Sequence, residues 1–165
     1  MRIVKRVGAL VLCALMALQL FGCALIKNVK NDPKNLEKPD AEKIFEYIKD
    51  EDIDSLCDLF SPEVKKNHDL EKEWEDFFEK MDGKAVSYKK ISFPNEGVGK
   101  DENGEVYKMH VAVNYNNLKT DKGTVYKQFG YQHIRVSKNE PDSVGLLTFT
   151  MQDPDTGEWT TVGER

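Results

Sequence analysis

The chain has 165 residues, with 24 basic and 29 acidic side chains and a formal net charge of −5. That balance disfavours nucleic acid as a partner, because its phosphates need a basic face, and no nucleic-acid partner is expected. Its length allows one domain once terminal segments are set aside.

The first 23 residues have their own pattern. Arg2, Lys5 and Arg6 precede an apolar run from Val7 to Phe21, which ends in Leu20-Phe21-Gly22-Cys23. A basic start, a hydrophobic middle and a small-residue cleavage site define a secretory signal. The cysteine after that site resembles the lipobox of bacterial lipoproteins, although Phe21 is bulkier than the usual occupant. That resemblance implies removal of residues 1–22 as a signal peptide. It also implies acylation of Cys23 with chains such as palmitate, and a lipid anchor at the outer face of the bacterial cytoplasmic membrane. Because Val7–Ile26 is also about the 20 residues that cross a bilayer, an uncleaved anchor stays open. Removing Arg2, Lys5 and Arg6 leaves 21 basic against 29 acidic residues, a net charge of −8 for the remaining chain.

Residues 23–39 comprise Cys23 and ALIKNVKNDPKNLEKP, a segment rich in Lys and Asn with Pro33 and Pro39. It lacks an apolar period and reads as a flexible tether. The folded domain is then expected over residues 40–165. Cys57 lacks a disulfide partner once Cys13 leaves with the signal and Cys23 is lipidated. Between Leu56 and Leu59 it reads as a small apolar core residue.

The first half of the domain carries helical spacing. Asp40 is a suitable N-cap for a helix whose apolar face holds Ile44, Phe45 and Ile48. Ile53, Leu56, Cys57, Leu59 and Phe60 form a second helix, closed by Ser61-Pro62, and Glu63–Lys66 reads as a short turn. Asp69 caps a third helix with Leu70, Trp74, Phe77, Phe78 and Met81 on one face, ending near Gly83.

After Gly83 the period changes to two. Residues 85–93 read as a strand, and residues 95–103, close to Gly97, Gly99 and Gly104, as a loose connection. Tyr107, Met109, Val111, Val113 and Tyr115 alternate with polar residues, which predicts a half-buried strand. Residues 124–136 read as one long strand, with Phe129, Tyr131, His133 and Arg135 on one face and Tyr126, Ile134 and Val136 on the other. Turns at 139–142 and 153–157 flank strands at 144–151 and 159–162. Helices followed by consecutive hairpins give an α+β class, with the N-terminal helices packed on a curved antiparallel sheet.

AEKIFEYIKDEDIDSLCDLFSPEV (41–64) resembles the opening of nuclear transport factor 2-like domains, which belong to the cystatin-like cones. TDKGTVYKQFGYQHIRVSKNEPDSVGLLTFTM (120–151) resembles, more narrowly, a family of small lipoproteins from Gram-positive bacteria that carries a domain of unknown function. Its shared elements are the lipobox, Leu59-Phe60-Ser61, the Gly-aromatic strand and the turn Asn139–Leu146, which here has one extra residue before Pro141. The resemblance runs from Asp40 to the C-terminus and implies a cone-shaped fold with a pocket. It assigns no activity, since this fold hosts isomerases, dehydratases and binding modules alike.

His110, Tyr115, Tyr131, His133 and Arg135 are the strand residues that can line such a pocket. His110 and His133 can meet only if their strands pair in the right register. His68, among Lys66, Asn67 and Asp69, reads as a solvated loop residue. No ligand spacing for a metal and no catalytic constellation stand out, so no catalytic residue, metal or cofactor is expected. The expected function is a membrane-anchored accessory module that binds a small ligand or a protein. The alternative is a small-molecule enzyme of isomerase or dehydratase type, with His110 or His133 as acid or base. Homodimerisation through the sheet is open.

Overall fold

The computed structural model describes residues 32–164. The expected signal peptide, Cys23 and the expected tether positions 24–31 lie outside the described residues.

Helix α1 spans Pro33–Asp50. It starts seven residues before the expected N-cap at Asp40 and takes in residues 33–39 of the expected tether. The local cause is Asp32-Pro33. The Asp32 carboxylate accepts from the Lys34 amide, and Pro33 fills the first helical position, where no amide partner is needed. Pro39 lies inside the helix on its exposed face. The buried stripe is Pro33, Glu37, Ala41, Ile44, Phe45 and Ile48, the spacing of one helix face. Asp40 is therefore a mid-helix residue. The helix ends at Glu51, whose φ of 54° is left-handed.

Three shorter helices follow: α2 (Ile53–Asp58), α3 (Pro62–Asn67) and α4 (Leu70–Lys80). Residues 62–67, expected as a turn, are helical because the Ser61 hydroxyl caps the Val64 amide and Pro62 takes the first position. Asp69 caps α4 as expected, accepting from the Lys72 amide. Among the described residues, four α-helices pack on an antiparallel sheet.

The main sheet has the order β2-β3-β6-β7-β8, made from Lys90–Lys100, Val106–Asn116, Phe129–Ser137, Gly145–Gln152 and Trp159–Val162. A small sheet joins β1 (Ala85–Ser87), β4 (Leu118–Thr120) and β5 (Val125–Tyr126). Register irregularities at Ser92/Asn95, Met109/His110 and Gln132/His133 bend the main sheet, as bulges do.

Three strand expectations change. The strand expected at 85–93 is two strands in different sheets. Gly97 and Gly99, expected in a loose connection, lie inside β2. The His110 ring sits over Gly97 and the Tyr107 ring over Gly99, where any Cβ would collide with them. These rings cover the bare backbone and restore the packing a glycine strand lacks. The long strand expected at 124–136 breaks at Lys127-Gln128, where the chain crosses from the small sheet to the main one. The break resets the alternation, so Tyr126 is buried against Phe129, with ring centroids 6.1 Å apart.

The core lies between α1, α4 and the inner sheet face. Trp74, Phe77, Tyr115, Phe129 and Phe149 are each at most 1% exposed. Their rings meet at 5.1–6.3 Å, mostly edge to face, the geometry that aromatic quadrupoles favour. Gly130 allows β6 to approach β3, since a Cβ there would lie 1.9 Å from the Val113 carbonyl oxygen. The amide of Ser61 donates to the Leu146 carbonyl and the amide of Leu146 donates to the Leu59 carbonyl. These bonds tie the start of β7 to the junction between α2 and α3.

His68 is a half-buried clasp instead of a solvated residue. Its Nδ1 lies 2.8 Å from Glu73 Oε1 and its Nε2 2.8 Å from the Glu164 carbonyl oxygen. Glu73 Oε2 accepts from the Gly163 amide. The Glu73 hydrogen bond holds the imidazole above its ordinary value of 6.5, against a smaller opposing effect of burial. A raised value means the clasp contributes fully below the unfolded value and is lost as pH rises through the folded one. The Gly163 amide should therefore lose hydrogen-exchange protection, after correction for intrinsic rate, as pH rises above the ordinary 6.5. In His68→Asn that pH dependence should vanish; a flat profile in the unmodified protein would contradict the clasp.

Candidate functional site

A single carboxylate organises the space between α1 and the sheet. Glu37 is 0% exposed. It faces inward because it stands four residues after Pro33 and four before Ala41 on the buried stripe. Three side chains of β6 converge on it. Tyr131 Oη donates to Glu37 Oε1 at 2.7 Å. His133 Nδ1 lies 2.9 and 3.0 Å from the two carboxylate oxygens. Arg135 donates from one terminal nitrogen to Glu37 Oε2 at 2.6 Å and to Asp40 Oδ2 at 2.5 Å.

Strand alternation puts Tyr131 and His133 on the inner face, where they pair with Val113 and Val111 of β3. Arg135 falls at an irregularity, between the pairs His110–Ile134 and Met109–Val136. The bulged position leaves it free to reach across to α1.

Burial alone would raise the Glu37 carboxyl. The His133 hydrogen bond and charge, then the bonds from Arg135 and Tyr131, outweigh that and hold it below its ordinary value of 4.5. Desolvation, aided by the nearby Tyr115 and Glu37, pushes the Tyr131 hydroxyl far above its ordinary range, so it stays a neutral donor.

His133 uses Nδ1 for Glu37, which leaves Nε2 for the neighbouring cleft. That cleft has a volume of about 220 Å³ and is lined by Asp40, Lys43, Ile44 and Tyr47 of α1, with Leu59, His133 and Leu146. Its floor is apolar and its rim carries both signs of charge. Lys43 Nζ sits 5.3 Å above the Tyr47 ring centroid, a cation–π geometry. A larger, open depression of about 660 Å³ lies between α3 and the 3-10 turn Pro141–Ser143. Much of its lining is exposed polar surface, such as Lys66, Asn67, Asn139 and Asp142. It shares no residue with the buried cluster, so size does not mark the chemistry here.

Of the five residues expected in a pocket, Tyr131, His133 and Arg135 gather at Glu37, and of these His133 lines the cleft. Tyr115 is a core residue. It is 0% exposed, and its hydroxyl donates to the Ala41 carbonyl at 2.7 Å, which fixes α1 to β3. His110 belongs to the opposite sheet face, because β3 pairs Val111, not His110, with His133. The two histidines therefore do not meet. The residue missed by sequence reading is Glu37, with Asp40 placed as a cap. The available signal was the four-residue spacing Pro33, Glu37, Ala41, which extends the helical stripe backwards.

Cys57 is half-buried on α2. Burial, with Glu71 and Asp54 nearby, pushes its thiol up to about 11, so little thiolate forms near neutrality. Among the described residues, no three His, Cys, Asp or Glu side chains are placed to hold a metal ion, and no helix is long and apolar enough to cross a membrane.

The fold and site define an α+β domain with an ionised, hydrogen-bonded cluster beside a small cleft. The chain belongs to a family defined by a domain of unknown function, DUF5104, which matches residues 43–153. The matched stretch includes Lys43, Tyr131, His133 and Arg135 and begins after Glu37 and Asp40. No curated protein matches the chain.

Removing one partner of a buried ionic cluster leaves the others uncompensated. Glu37→Leu should cost about 3–5 kcal/mol of unfolding free energy near neutral pH, measured by urea titration. Because the folded carboxyl is depressed, its contribution is present above 4.5 and lost as pH falls through the lower folded value. The unmodified protein should lose stability in that acid window, and Glu37→Gln should lose much less there. Equal acid slopes would contradict the assignment.

Proposed function

We propose that this protein is an extracytoplasmic lipoprotein held by acyl chains on Cys23 at the outer face of the cytoplasmic membrane. Its domain is a nuclear transport factor 2-like cone that binds a small ligand in the cleft between α1 and the sheet. The observation that carries the binding reading is His133. A fully buried carboxylate holds its Nδ1, and the same ring lines an apolar-floored cleft. A protein that orients an imidazole so firmly beside a cavity has the polar anchor and apolar wall of a ligand site. The anchoring reading rests on Leu20-Phe21-Gly22-Cys23 after a basic start and an apolar run, as secretory signals require.

A second reading, catalysis of isomerase or dehydratase type, is favoured by the same pair. A carboxylate that orients a histidine leaves Nε2 as an acid or base for a bound molecule. Catalysis further requires a group that stabilises charge on the substrate, and Lys43 is the cation on the cleft wall.

Two measurements test the proposal. Cys23→Ala should abolish labelling by a fatty-acid analogue in intact cells and release the protein from the membrane; unchanged labelling removes Cys23 as the anchor. Native mass spectrometry of the purified protein should show a stoichiometric small molecule that Leu59→Trp, which fills the cleft, excludes. Equal retention in that variant places the ligand elsewhere.

A further inference from the structure

The cleft's charge pattern narrows the kind of molecule it accepts. Glu37 and Asp40 carry two negative charges, and both are bonded to Arg135. Lys43 supplies a second positive charge at the cleft wall. No carboxylate lies within ion-pairing distance of it among the described residues, and its ammonium is raised chiefly by the Tyr47 hydroxyl. His133 Nε2 has no protein partner among the described residues. The two carboxylates balance Arg135 and Lys43.

We infer that the cleft takes a small organic monoacid with a short apolar tail. It binds as its carboxylate between Lys43 and His133, together with one proton added to His133 Nε2. The inference rests on the cleft reading above and specifies its ligand class. An anion and a proton entering together leave the local charge balance unchanged, which matters where desolvation penalises any net charge. The added proton forms an N–H bond using the Nε2 lone pair. The resulting imidazolium then donates to Glu37 from one side and to the ligand carboxylate from the other. Such charge-assisted bonds are stronger than neutral ones.

The groups that face this ring are known from each packed element. Glu37, Asp40, Lys43 and Tyr47 come from α1, and Tyr131 and Arg135 from β6. Leu59 and Leu146 bring only apolar surface. A carboxylate head therefore meets two donors, and its tail meets Ile44, Leu59 and Leu146. The volume of about 220 Å³ is below the range of roughly 300–1,000 Å³ for drug-sized ligands, which suits a short chain. A cationic ligand would instead lie against Lys43, and its only acidic partner on the wall, Asp40, already holds Arg135.

The test is isothermal titration of the full chain in zwitterionic-lipid nanodiscs, corrected for empty discs. The probes are pentanoate and its neutral isostere pentanamide, in two buffers of different ionisation heat. The titrations are run at one fixed pH in both buffers. Pentanoate should bind about ten-fold or more tighter than pentanamide, as expected for charge-assisted bonds, and take up about one proton on binding. Lys43→Met should erase most of that preference, and His133→Gln should remove the proton uptake. Lys43 is an exposed residue, so its variant remains informative if His133→Gln fails to fold. Equal affinities, a preference insensitive to Lys43→Met, or acid binding without proton uptake would each overturn the inference while the cleft reading stands. Binding of neither probe would overturn both.

Discussion

The carboxylate of Glu37, buried under α1 and held by three side chains of β6, is the interaction on which the arrangement depends. Transfer of a bare carboxylate from water into a protein interior costs several kcal/mol even after relaxation. Here Tyr131, His133 and Arg135 all reach it and offset that cost. Together these bonds favour the observed register of α1 against the sheet. Apolar packing alone would be more permissive, because the buried stripe of α1 changes from Ile44, Phe45 and Ile48 at one end to Pro33 and Glu37 at the other. The polar cluster locates the N-terminal half of the helix, and the aromatic core locates the rest. Tyr115 joins the two regions. Its ring packs on Phe45 and its hydroxyl holds the Ala41 carbonyl.

The cleft follows from this placement. The irregularity at Gln132/His133 brings Leu146 opposite His133, and the Leu59–Leu146 backbone bond brings the end of α2 to the same place. The apolar floor and the oriented imidazole therefore share a cause, the docking of the α2–α3 junction on the start of β7. The cleft and the stability of the domain are coupled, since the group that orients His133 also holds α1 down. Variants at Glu37 change both, whereas Lys43 on the cleft wall separates them.

Much of this architecture was legible in the sequence. The change of period at Gly83, the Asp69 cap and the shared face of Phe129, Tyr131, His133 and Arg135 come from spacing alone, while which sheet face is the inner one does not. Four features escaped it for physical reasons. The start of α1 was masked by two prolines and a buried residue that is charged, so hydropathy showed no stripe. The glycines of β2 imitate a loop because the rings that cover them belong to the neighbouring strand. The separation of His110 from His133 depends on β3–β6 register, which local sequence does not specify when both strands alternate cleanly. Tyr115 was read as a pocket residue because a strand tyrosine facing inward is equally suited to a pocket wall and to a core. Only its bond to a helix carbonyl, 74 positions away in the chain, decides between them.

The central claim is that Glu37 is ionised while fully buried. The most direct measurement is the side-chain carboxyl carbon titration of Glu37 by nuclear magnetic resonance, with its signal assigned by loss in Glu37→Gln. A midpoint below the ordinary 4.5 is predicted. A midpoint above it would mean that desolvation wins, that the buried carboxyl is neutral near its ordinary value, and that the cluster does not hold α1 in the manner described.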